Sequence, residues 1–154
     1  MTSALSLKYC KPFQNLKIRK PSSKSYKVNQ FILVLLNYPY RFHFDALAHD
    51  NSAEKAEIEQ IGGIPNARRD ATPSAIVLQG TQLIKKSDPD AADTVKILMA
   101  LYRVQEKNVD LLATFNIPLV QASGVMSEAE FLQTTHDFRE FATSLKIIDF
   151  GLFA

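Results

Sequence analysis

At 154 residues, 46% hydrophobic and 22% charged, the chain has the size of one globular domain and enough apolar content for a core. Its longest apolar run, Phe31–Leu36, falls far short of the ~20 residues that a membrane-spanning helix needs. A single cysteine, Cys10, excludes an internal disulfide, and the N-terminus lacks the pattern of a signal peptide, so the expected compartment is cytoplasmic.

The net charge of +2 hides a segregation. Residues 1–27 carry Lys8, Lys11, Lys17, Arg19, Lys20, Lys24 and Lys27 with no acid, whereas all sixteen acidic residues follow Val28. Residues 1–25 are expected to be a flexible basic arm, since Lys20-Pro21-Ser22-Ser23-Lys24-Ser25 cannot bury enough surface to order itself. Tyr9, Phe13 and Tyr26 between the charges leave open a phosphate-contacting role, and a solubilising tether is the plainer reading.

The folded part, 26–154, reads as helical. Val28, Phe31, Ile32, Leu35 and Leu36 fall on one face of a helix that Pro39 is expected to end. Tyr40–Leu47 is a short helix or an extended connector. Asn51 with Glu54 resembles a helix start, and Gly62-Gly63 a stop. Thr72-Pro73 predicts the start of a helix carrying Ile76, Gly80, Leu83 and Ile84 on one face, with Gly80 allowing close approach of a neighbour. Asp88-Pro89 predicts another start, continued by Ala91, Val95, Leu98 and Tyr102, and a shorter helix covers Val109–Phe115. Ser127-Glu128-Ala129-Glu130 is a capping box, ahead of a face formed by Phe131, Thr135, Phe138, Ala142 and Leu145. The expected fold is all-α, a bundle of about six helices.

No arrangement of residues carries chemistry. His43, His49 and His136 lack zinc-ligand spacing, Gly62-Gly63 lacks the context of a phosphate loop, and Asp88, Asp90 and Asp93 lack the Gly and Glu of a calcium loop. Neither enzymatic activity nor a cofactor is expected.

Three stretches carry a resemblance: Tyr26–Pro39 (YKVNQFILVLLNYP), Ile76–Arg103 (IVLQGTQLIKKSDPDAADTVKILMALYR) and Ser127–Leu145. In order and spacing they resemble the C-terminal helicase-binding domain of bacterial DNA primase. The resemblance implies a non-catalytic adaptor in DNA replication that docks primase on the replicative helicase. It also implies a pocket for the acidic tail of single-stranded-DNA-binding protein, with Lys24, Lys27 and Val28 at its start and Arg103 or Lys107 supplying further positive charge. Ala113 stands where that family has a second basic residue, and the family's terminal helical hairpin has no counterpart before Ala154. Membrane contact is not expected, and direct nucleic-acid binding is expected to be weak or absent. The alternative is a small helical nucleic-acid-binding or regulatory protein using its basic arm.

Overall fold

The computed structural model describes residues 4–10, 27–85, 92–121 and 124–153. Its centre is a five-stranded antiparallel sheet in the order β1-β5-β4-β3-β2, built from β1 (Ala4–Cys10), β2 (Ala53–Ile64), β3 (Ala75–Lys85), β4 (Ala92–Val104) and β5 (Val109–Pro118). Helix α1 (Lys27–Asp50) packs on one face of the sheet and α2 (Glu128–Ser144) on the other. A small hairpin, β6 (Val120–Gln121) with β7 (Gly124–Val125), precedes α2.

The all-α expectation is therefore wrong, and the reason lies in β4. Val95, Ile97, Met99 and Leu101 enter the core beneath α1, together with Tyr40, Phe44, Leu47, Leu78 and Leu112. Their neighbours Leu98, Ala100 and Tyr102 enter the second core beneath α2, with Ala113, Ile117, Phe138 and Ala142. A strand buried on both faces has no apolar–polar alternation, and a continuous apolar run satisfies a helical template equally well. The stretches read as helices over 72–84, 91–102 and 109–115 are β3, β4 and β5. The proposed start at Asp88-Pro89 lies outside the described residues.

β2 overrides its local preference in a different way. Ala53-Glu54-Lys55-Ala56-Glu57-Ile58-Glu59 is rich in helix formers, yet it forms an edge strand because β3 offers it a backbone ladder. The pairing is irregular at Ala53/Lys55 and at Ile58/Gln60. Ile58 and Ile61 reach the core beneath α1.

Pro39 does not end α1, which continues to Asp50. The stretch Tyr40–Leu47, left open between helix and connector, is helix, and Tyr40, His43, Phe44, Leu47 and Ala48 form its buried stripe at helical spacing. At the opposite edge Ala4–Cys10 pairs with β5 through Ala4↔Asn116 to Cys10↔Asp110, so this part of the basic arm is strand. The capping box is present as read: Ser127 Oγ accepts from the Glu130 amide, and the Ser127 amide donates to Glu130 Oε2 at 3.0 Å. That backbone donor, with the Ser127 hydroxyl, holds the Glu130 carboxyl below its usual range.

Candidate functional site

The sheet ends where β2 stops, β3 begins and β4 passes through a short 3-10 turn, Gln105–Lys107, into β5. Asn108 closes that turn with φ 51°, a left-handed conformation that Asn tolerates. Next to it, β4 and β5 place Arg103 directly opposite Asp110. Arg103 Nε donates to Asp110 Oδ1 and Nη2 to Oδ2, both at 2.8 Å. From α1, His43 Nε2 meets the same Oδ2 at 2.9 Å. Asp110 is fully buried, and His43 nearly so. Burial alone would raise the Asp110 carboxyl, but the hydrogen bonds from His43 and Arg103 outweigh it and hold the group below its usual range. The same carboxylate keeps Arg103 firmly charged.

Tyr40 lies one helical turn before His43. Burial, reinforced by the Asp110 charge, pushes its phenol far above the ordinary range. Among the described residues, its hydroxyl has no hydrogen-bond partner. Tyr102, on the opposite face of the sheet, donates instead to the Ala142 carbonyl at 2.7 Å, and burial pushes its phenol up to about 12.

Beside this ionic group opens a cleft of about 680 Å³, with Pro39 and Tyr40 of α1, Arg103 of β4, the 65–74 loop and Phe150 in its walls. Two of those walls are fastened together. Arg68 in the loop donates through Nη1 to the Thr143 carbonyl at 2.6 Å and through Nη2 to the Leu145 carbonyl, capping the C-terminal end of α2. Asp70 supports the clamp. It accepts from the Thr72 amide at 2.9 Å, Asn66 Nδ2 at 2.8 Å and Arg68 Nε at 3.0 Å, bonds that hold its carboxyl well below the usual range. Thr72 Oγ1 accepts from the Ile147 amide at 3.0 Å, anchoring the segment after α2. In that segment Phe150 turns to the cleft, whereas Ile148 and Leu152 are 89% and 79% exposed.

The residues proposed for the acidic-tail pocket fall on separate parts of the chain. Lys24 lies outside the described residues, and Lys27 and Val28 begin α1. Arg103 is on β4, with two guanidinium nitrogens committed to Asp110, and Lys107 is exposed in the turn that follows. Sequence reasoning missed Tyr40, His43 and Asp110. The available signal was Asp110 itself, one acid in the otherwise apolar start of Val109-Asp110-Leu111-Leu112-Ala113. Among the described residues, no group of three or more His, Cys, Asp or Glu is arranged to hold a metal ion, and no helix is long and apolar enough to cross a membrane.

A family model described as Mog1, Ran-interacting Mog1 protein, matches residues 36–118. The Ran guanine nucleotide release factor of Danio rerio is 30% identical over 125 residues, covering 73% of this chain and 67% of the relative. The probable Ran guanine nucleotide release factor of Dictyostelium discoideum is 31% identical over 127 residues, covering 73% of this chain and 65% of the relative. The chain thus spans about two thirds of the length of these relatives. These matches overturn the resemblance to the helicase-binding domain of primase, together with the replication-adaptor role and the helicase and single-strand-binding-protein partners it implied. The central stretch that carried that resemblance, Ile76–Arg103, contains the paired strands β3 and β4 rather than a pair of helices.

Proposed function

The chain belongs to the Mog1 family, and from that premise we propose that it binds the GTPase Ran and promotes release of Ran's guanine nucleotide. What carries the proposal is the extent of the family match. Residues 36–118 run from the middle of α1 to the last residue of β5, and they include Tyr40, His43, Arg103 and Asp110.

Such a factor needs no covalent chemistry of its own. If it binds nucleotide-free Ran more tightly than nucleotide-bound Ran, linkage requires that it weaken nucleotide binding by the same factor. The buried ionic group suits that role as scaffolding, because Asp110 is spent on both His43 and Arg103.

The test is release of a fluorescent guanine nucleotide from purified Ran, followed by stopped flow with excess unlabelled nucleotide. Saturating chain is expected to speed release by about tenfold or more, within the ordinary range of coupling between two ligands. Release at the intrinsic rate at every concentration of the chain would overturn the proposal.

A further inference from the structure

The cleft at the end of the sheet has a composition that selects its ligand. Its walls are mainly apolar, with Pro39, Ile64, Pro73, Leu101 and Phe150 among them. Among the described residues, Arg103 is the cationic side chain lining it and Glu106 the anionic one. Asp110 engages Nε and Nη2 of Arg103, which fixes the guanidinium plane and leaves Nη1 as the nitrogen that Asp110 does not hold. The Arg103 charge is already balanced by Asp110, and Glu106 adds a further negative charge at the wall. A phosphate or nucleotide entering here gains little from the field. An uncharged acceptor with an apolar body suits it better, and a peptide carbonyl beside an apolar side chain has that chemistry.

One further observation points to an occupant: the segment that brings Phe150 to the cleft also carries exposed apolar side chains. Ile148 and Leu152, two residues to either side of Phe150, stand exposed, as large aliphatic side chains do where a protein partner covers them.

We propose that this cleft is where the chain grips Ran as a protein rather than through its nucleotide. An apolar side chain of Ran enters between Pro39, Pro73 and Phe150, Arg103 Nη1 donates to the main-chain carbonyl beside it, and Ile148 and Leu152 form the rim. The inference rests on the Ran reading above and adds the place and the chemistry of contact.

Ala71 and Gln105 line the cleft from exposed positions, so Ala71→Trp and Gln105→Trp fill it without entering either core. Gln133→Trp, exposed on α2, adds the same bulk elsewhere. Calorimetric titration into nucleotide-depleted Ran is expected to show at least a tenfold loss of affinity for both cleft variants and none for Gln133→Trp. Wild-type affinity in folded cleft variants would overturn the inference and leave the Ran reading standing. Absence of Ran binding by the wild-type chain would overturn both. Amide exchange on the wild-type complex guards against misfolded variants: protection of Gln105–Glu106 and Ile148–Leu152 on adding Ran is expected, and unchanged exchange there would refute the proposed contact. Binding of GDP alone at these amides would refute the preference for protein over nucleotide.

Discussion

Asp110 keeps its charge at zero exposure because two partners reach it from two other elements, His43 from α1 and Arg103 from β4. Removing the charge while leaving the partners is the costly change, since the guanidinium is then half-buried without its counter-ion. Asp110→Asn is expected to lower stability by about 3–5 kcal/mol at pH 7, measured by urea denaturation. The pH dependence follows from the same bonds. The folded carboxyl titrates below the unfolded value of about 3.9, so the unfolded chain takes up its proton first as pH falls. The stabilisation is complete above that value and is lost as pH drops through the lower, folded pKa. Asp110→Asn is therefore expected to flatten the acid limb of the stability curve below about pH 4, and an unchanged limb would show that other carboxylates dominate it. This group was hidden in the sequence for a simple reason: His43 and Asp110 stand 67 positions apart, and only the fold brings α1 over β5.

Three elements meet closely at Gly80 of β3. A Cβ there would lie 2.7 Å from the Phe44 ring and 2.7 Å from the Glu57 carbonyl oxygen, so α1 and β2 both depend on its absence. Gly80→Ala is expected to cost about 1–3 kcal/mol by overpacking, seen as a lower Tm in a thermal melt. The sequence did announce a close approach at this glycine, although the neighbour is a helix crossing a strand rather than a second helix. Arg68 joins elements that are far apart in the chain. Its side chain is partly exposed, so Arg68→Ala is expected to cost only about 1 kcal/mol globally. Locally the Leu145 and Ile147 amides should exchange faster, and unchanged rates there would mean that the α2 end holds without the guanidinium. The α2 start was fully legible, because a capping box is a local device and Phe131, Phe138, Ala142 and Leu145 keep helical spacing against one face of the sheet. The strands were not, because β3, β4 and β5 owe their conformation to partners distant in sequence, and their doubly buried residues erase the period-2 signal.

The whole molecule is one sheet shared by two cores, with adjacent residues of β4 serving opposite sides. Leu98→Ala empties space beneath α2 and Met99→Ala beneath α1, and each is expected to cost about 2–5 kcal/mol. Because both cores close on the same strand, far-ultraviolet circular dichroism and tyrosine fluorescence should lose signal in one coincident transition for either variant. Two separate transitions would mean that the layers melt independently. The sheet's outer boundary has a consequence of another kind. β2 leaves one row of backbone groups unpaired by any further strand in the described structure, and such a row is a template for another chain. Two irregularities interrupt it, and Glu54, Lys55 and Glu57 crowd its exposed end. A second copy approaching β2 strand to strand would meet a broken register and charged side chains, features that disfavour edge-to-edge pairing at this strand.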